Sequence, residues 1–186
     1  SDMPGVLMQL AVFHSNRGDA PSAERAYREA LALNSQMLAA YLNLADLLRA
    51  QNRDEEARAL LLQALAVAPD NGNTLHALGL LETRSDDPQK ALDYLAQAAA
   101  LETLGTRHRF VYAIALHDLG QPRQAVTELN KLLRQFPRDE QVLLALANYN
   151  AELGEKATAK AYAQQLVKLA PRNTNYQQLL QSLAAD

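Results

Sequence analysis

Between Leu38 and Asn71 the apolar positions follow a helical period. Tyr41, Leu44, Ala45 and Leu48 recur at three- and four-residue spacing and make one apolar face. Gln51-Asn52-Arg53-Asp54 breaks the pattern, and Ala57, Leu60, Leu61, Ala64 and Leu65 resume it. Pro69 ends it, because proline cannot continue a helix. The stretch predicts two amphipathic helices joined by a short polar turn. Asp54 is expected to cap the second helix, with Glu55 and Glu56 in its first turn, where the helix dipole favours acids. One helical hairpin of this size cannot bury its own apolar face. It needs neighbours.

The chain supplies them at a fixed spacing. Shifted by thirty-four residues, the pattern matches itself without a gap. Ala57 falls on Ala23, Ala91, Ala125 and Ala159, and Ala45 falls on Ala11, Gly79, Ala113 and Ala147. Leu44 falls on Leu10, Leu78, Tyr112 and Leu146. Asn52 falls on Gly18, Asp86, Gly120 and Gly154, all turn residues. Pro69 falls on Ser35, Thr103, Pro137 and Pro171. Where two helices cross closely, only a very small side chain fits between their backbones. The two small positions therefore mark the crossing inside each hairpin.

This pattern resembles the tetratricopeptide repeat, with its 34-residue period, its two small positions, an aromatic or Leu four residues after the second, and a late Pro. The resemblance covers residues 4–173 as five repeats: 4–37, 38–71, 72–105, 106–139 and 140–173. It departs from the family in places. The early Trp position holds Leu7, Tyr41, Leu75, Arg109 and Leu143. Glu82 and Asn150 stand where an apolar residue is usual. The resemblance implies an all-α fold, a right-handed α-α superhelical solenoid of helical hairpins.

Second helices are expected from near Ala20, Asp54, Pro88, Pro122 and Lys156; Pro88 and Pro122 suit a first helical turn. First helices of repeats two to five are expected from near Leu38, Gly72, Thr106 and Glu140. Residues 1–3 read as an appended, non-native start. Helix one, Gly5 to Asn16, is apolar nearly all round. Either it exposes some of those side chains or one face packs on a further element, since solenoid ends usually carry a polar face. Phe13 sits at the site of Leu47, Leu81, Ala115 and Tyr149, where a first helix meets the preceding hairpin, and Val6 lies two turns earlier on the same side. Val6 and Phe13 are therefore candidates for self-association into a homodimer, or for contact with further repeats. Thr174 to Ala184 reads as a capping helix, with Leu179, Leu180 and Leu183 on one face and glutamines over the rest; 174–186 forms this cap and tail.

Composition narrows the chemistry. About half the residues are apolar, enough for a core shared between hairpins, and the net charge of -3 with interspersed signs gives no field for nucleic acid. No apolar run reaches membrane-spanning length, so no insertion is expected. Cysteine is absent, which removes disulfides, thiolate catalysis and Cys-ligated metal. The four histidines, His14, His76, His108 and His117, stand in no metal-binding spacing. His14 is expected to be a packed histidine. His76 and His117 fall on inner-surface positions, able to meet a partner's carboxylate or to be plain surface histidines. Asp86-Asp87 precedes Pro88 and reads as turn and capping chemistry, not as an acid–base pair. No phosphate-loop, dinucleotide or nucleophile-elbow motif occurs. No enzyme activity, metal or cofactor is expected.

In the tetratricopeptide family the first helices line a concave groove. Carried onto this chain, the resemblance places Met8, Val12, Ser15 and Asn16 there from repeat one and Leu42, Asp46 and Arg49 from repeat two. Repeat three adds Asn73, His76, Leu80, Thr83 and Arg84, and repeat four Arg107, Phe110, Ile114, His117 and Asp118. Repeat five adds Gln141, Leu144, Asn148 and Glu152. Leu42, Leu80, Phe110 and Ile114 would form an apolar stripe edged by Arg49, Arg84 and Arg107, unless these apolar residues pack internally. The Lys and Asn positions of the family's carboxylate clamp hold Met8 and Val12, Leu42 and Asp46, or His76 and Leu80, so chaperone-tail binding is not expected. The expected function is non-catalytic binding of a partner protein or peptide segment. The alternatives are an oligomerisation module using the N-terminal face, and a docking or regulatory module of a larger bacterial enzyme or multihaem cytochrome. The composition is bacterial in style and fits cytoplasm or periplasm.

Overall fold

In a computed structural model of the chain, residues 2–85, 87–101 and 106–184 are described, and among them there are eleven α-helices and no strand. Ten of the helices pair into hairpins. They are α1 (Met3–Asn16) with α2 (Ala20–Leu33), α3 (Leu38–Ala50) with α4 (Asp54–Val67), and α5 (Gly72–Glu82) with α6 (Pro88–Leu101). Then come α7 (Arg107–Asp118) with α8 (Pro122–Gln135) and α9 (Glu140–Glu152) with α10 (Lys156–Leu169), followed by a single α11 (Thr174–Ser182). All five second helices begin where the repeat pattern puts them. Helix α1 begins earlier than expected, because the Asp2 carboxylate accepts from the Gly5 amide at 3.1 Å and caps it, making Met3 its first residue.

The chain divides into two compact units, Ser1–Leu101 and Glu102–Asp186. The first holds three hairpins around a core of Ala11, Ala23, Tyr27, Leu44, Leu48, Leu61, Leu78 and Leu81. The second holds two hairpins and α11 around Leu116, Leu129, Leu132, Leu143, Leu146 and Leu166. Inside every hairpin the two small positions are buried: Ala23, Ala57, Ala91, Ala125 and Ala159 on the second helices, and Ala11, Ala45, Gly79, Ala113 and Ala147 on the first. At Gly79 the approach is close, since an added Cβ would lie 2.5 Å from Leu95 Cγ and 2.6 Å from its Cδ2. The crossing inferred from residue size is real.

The turns repeat in atomic detail. Gly18, Asn52, Gly120 and Gly154 have φ of +75°, +60°, +78° and +78°, the left-handed region that ends a helix. One residue later an amide closes the last turn: Asp19 to His14 O (3.0 Å), Arg53 to Leu48 O (3.0 Å), Gln121 to Leu116 O and Glu155 to Asn150 O (both 2.8 Å). Asp86, the fifth member of this set, lies outside the described residues. So does Thr103, at the late Pro position. Asp87 caps α6 through the Lys90 amide at 3.1 Å, as expected. Asp54 does not cap α4. It is the first helical residue and follows Arg53, which makes no side-chain cap bond. Its carboxylate is drawn instead to Arg84, with Nε 3.3 Å from Oδ2.

Candidate partner-binding surfaces

In the first unit a cavity of about 450 Å3 opens between the first helices of adjacent hairpins. Val12, Ser15 and Asn16 line it from α1, and Asn43, Asp46, Leu47 and Ala50 from α3. Tyr27 of α2 also lines it; its buried hydroxyl is hydrogen-bonded to Asn43. Burial pushes the Tyr27 phenol up, more than Asn43 pulls it down, so it stays protonated. The cavity thus combines apolar walls with two hydroxyls, two amides and a carboxylate. Four of its lining residues, Val12, Ser15, Asn16 and Asp46, are ones the repeat register assigned to the inner surface.

The other assigned residues of this unit divide. Leu42 and Met8 are half-buried and pack on the core, so they are partly internal. Leu80 is also half-buried. Asp46 is exposed and 3.3 Å from the Arg49 guanidinium. His76 is not a surface histidine: α5 packs against α3, α4 and α6 at once, is covered around most of its circumference, and leaves His76 only 5% exposed. Arg84 is exposed. It is committed to the turn of the preceding hairpin, donating from Nη2 to Asn52 Oδ1 at 3.0 Å besides its pairing with Asp54.

In the second unit, α7 carries Arg107, exposed, and Phe110 and Ile114, half-buried; Asn148 is exposed on α9. His117 stacks flat on Tyr149, ring centroids 3.8 Å apart and 2° from parallel. Its Nε2 is 2.6 Å from Glu152 and its Nδ1 is 3.3 Å from Asp118. Burial lowers the imidazole pKa, but the bonds to Glu152 and Asp118 outweigh it and the net shift is upward. Tyr149 is pushed up to about 12, by burial first and then by the same two carboxylates.

Some polar chemistry was visible only as a departure from the repeat. Glu82 is buried and bonded to Arg58 Nε at 2.8 Å, with Lys90 at 3.3 Å. Asn150 is buried and donates to the Leu146 carbonyl of its own helix at 2.7 Å. His14 is half-buried, and its partner is Asp19 at 3.2 Å, not the core. The Tyr27–Asn43 pair carried no sequence signal, because neither residue departs from ordinary helix composition. Val6 and Phe13 are exposed. Among the described residues no three His, Cys, Asp or Glu side chains are grouped to hold a metal ion, and no helix is long and apolar enough to cross a membrane.

Tetratricopeptide repeat families match residues 5–38, 36–103, 107–149 and 141–173. The chain belongs to the tetratricopeptide repeat family. Over 163 residues, 81% of the chain, it is 31% identical to "Cellulose synthase operon protein C" of Xanthomonas axonopodis pv. citri (strain 306), of which it spans 11%. Among solved structures, that of MamA superposes with a TM-score of 0.77 at 18% identity, covering 94% of this chain and 96% of that one. YrrB, described as "a TPR protein with an unusual peptide-binding site", superposes with a TM-score of 0.71 at 21% identity, covering 92% and 89%. At such identities the structures speak for the fold alone, the solenoid of tandem hairpins. As a tetratricopeptide repeat protein the chain has the fold of a protein-interaction scaffold, a module that is generally non-catalytic.

Proposed function

We propose that the chain is a non-catalytic scaffold that receives a segment of a partner protein on the inner faces of its first helices. The carrying observation is the cavity between α1 and α3, half of whose lining, Val12, Ser15, Asn16 and Asp46, consists of residues expected on the inner surface. Val12 and Leu47 offer apolar contact. Ser15, Asn16 and Asn43 offer the hydrogen bonds that an extended backbone needs. Asp46 adds a negative rim that selects against acidic segments. In the second unit Phe110 and Ile114 give an apolar contact, flanked by Arg107 on the same helix and by Asn148 on α9. The likeness to YrrB, whose description names a peptide-binding site, supports the reading at the level of fold. Single-segment binding of this kind has a Kd on the order of micromolar.

The test is partner capture by the wild-type chain and by three variants: Val12→Glu, Asp46→Arg and Phe110→Glu. Each changes an exposed or half-buried side chain, so circular dichroism should show full helicity. Capture is expected to fall sharply with Val12→Glu and Phe110→Glu, and its salt dependence to change with Asp46→Arg. Capture unaltered by all three would place the binding surface elsewhere.

A further inference from the structure

We propose that a cavity between α8, the end of α9 and α10 is a docking slot for an arginine side chain of a partner protein. The same repeat positions meet at successive hairpin junctions and can be compared one by one. Between the first two hairpins they hold Glu24, Gln51, Arg53 and Glu56. Arg53 fills that junction, donating to Glu24 at 2.6 Å, to Glu56 at 2.7 Å and to Gln51 at 3.2 Å. Between the second and third hairpins Arg58 fills it, donating to Glu82 at 2.8 Å and pairing with Glu55, while Lys90 approaches Glu82 at 3.3 Å. Between α8 and α10 the register puts Val126 in the place of Arg58, Asn150 in that of Glu82, Glu155 in that of Arg53 and Thr158 in that of Lys90. No side chain of the described residues bridges this junction, and a cavity of about 300 Å3 is left.

The walls of the cavity call for a donor. Asn150 is 5% exposed and its amide nitrogen is engaged by the Leu146 carbonyl, so its Oδ1 acceptor has no partner among the described residues. A buried acceptor without a donor is destabilising. Thr127 gives its hydroxyl hydrogen to the Arg123 carbonyl at 3.0 Å and offers the cavity lone pairs. The Glu155 carboxylate lines the same space and makes no cap bond to α10. Two neutral acceptors and a carboxylate around one gap fit a planar guanidinium with five donors, the group that fills both junctions of the first unit. Lysine, a point charge with three donors, matches them less well. Val126 and Leu153 give the methylene stem of the arginine an apolar bed. Arg123 is the cation of this lining. It is exposed and stands where the cavity meets a second hollow, lined by Gly120, Gln121 and Pro122. Its counterpart in the second junction is Glu55, which accepts from Arg58. Arg123 therefore weakens the slot without closing it. The slot does not depend on the inner-face reading above, which rests on other residues.

The test is a titration of the isotope-labelled full chain with N-acetyl-arginine N-methylamide, followed by NMR. The signals of Asn150, its side-chain amide included, and of Glu155 and Thr158 should shift, with a Kd on the order of millimolar, as suits a single side chain. N-acetyl-citrulline N-methylamide, similar in shape but neutral, should bind at least about fivefold more weakly, because a charge-assisted bond is lost. Glu155→Gln, a change at an exposed residue, should weaken the arginine probe to the same degree. Arg123→Glu, which places an acid where the second junction has Glu55, should tighten it severalfold. Val126→Arg, folded by circular dichroism, should abolish the response by filling the slot from within, as Arg58 does. Absence of shifts at Asn150, Glu155 and Thr158 would overturn the proposal. So would a Glu155→Gln chain that binds the arginine probe as well as wild type. Capture of N-acetyl-glutamate N-methylamide in preference to the arginine probe would do the same, since it would make Arg123 the anchor of an anion site.

Discussion

At the residue scale, one repeat position shows how far a tolerant scaffold lets its core chemistry vary. That position holds His14, Leu48, Glu82, Leu116 and Asn150 in turn. The two leucines are simply buried. Glu82, 2% exposed, survives there because Arg58 and Lys90 reach it, and Asn150 because it turns back on its own helix. Burial raises the Glu82 pKa, but the Arg58 guanidinium and the Ser85 and Lys90 contacts prevail and hold it below the usual carboxylate value. A depressed carboxylate contributes stability above its unfolded pKa, and that contribution is lost as pH falls through the folded one. Glu82→Ala should cost about 1–3 kcal/mol in urea denaturation at neutral pH, since it takes from the largely buried Arg58 its buried partner and leaves it only the exposed Glu55, and the deficit should shrink in acid. Gly79→Ala should cost about 1–3 kcal/mol, because the Leu95 side chain must shift to clear the added Cβ. Ala57→Leu or Ala125→Leu should cost as much or more, both sites being fully buried at a helix crossing. A melting curve that matches wild type would show the crossing to be looser than drawn.

At the scale of the element, the hairpin turn is set by one left-handed residue. Nothing lies within 4 Å of a Cβ built on Gly120 or Gly154, so replacing either by Ala should cost about 1 kcal/mol from backbone conformation alone. Asn52 occupies the same conformation without being glycine. Asn52→Gly should be near neutral in thermal melts, the relief of backbone strain offset by the lost bond from Arg84. Between elements, His117 joins α7 to α9 through Glu152 and its stack on Tyr149. Its folded pKa is raised above the ordinary 6.5. The stability it contributes is therefore fully present below about 6.5 and is lost as pH rises through the raised value. His117→Gln should be clearly less stable than wild type at about pH 5.5, with the gap narrowing toward about pH 8.5. A gap constant with pH would mean that stacking, not charge, is what His117 supplies.

At the scale of the whole molecule, a repeat array is governed by what happens at its ends and by which faces it leaves open. Helix α11 packs on α10, with Tyr176, Leu179 and Leu180 half-buried and the Tyr176 hydroxyl donating to Glu140 at 2.9 Å. Deleting residues from 174 onward should lower stability by roughly 2–4 kcal/mol, the value of the apolar surface it covers, and promote aggregation measurable by light scattering. A deletion that left both unchanged would make α11 a passive tail. The inner faces, by contrast, carry residues whose replacement should spare stability and alter capture.

The sequence by itself determined the hairpins, their boundaries, the two small positions and the left-handed turn, because each is a local demand that recurs at a fixed interval. A close crossing needs Ala or Gly, a helix end needs a left-handed residue, and a first turn tolerates Pro. Five copies in register made those demands legible. It also marked the apolar stripe of α1, since the counterparts of Val6, Leu10 and Phe13 on α5 and α9 are buried. Only the tertiary structure decided which inner-face positions are exposed. His76 is covered by three neighbouring helices, whereas Arg84 stays exposed while pairing with Asn52 and Asp54 of another hairpin. Glu82 became a buried ion pair, and not a flaw in its repeat, because Arg58 is folded against it. Periodicity assigns a side chain to a face. Whether that face meets water, a neighbouring helix or a charge from the next turn is settled by packing between elements, which no local pattern encodes.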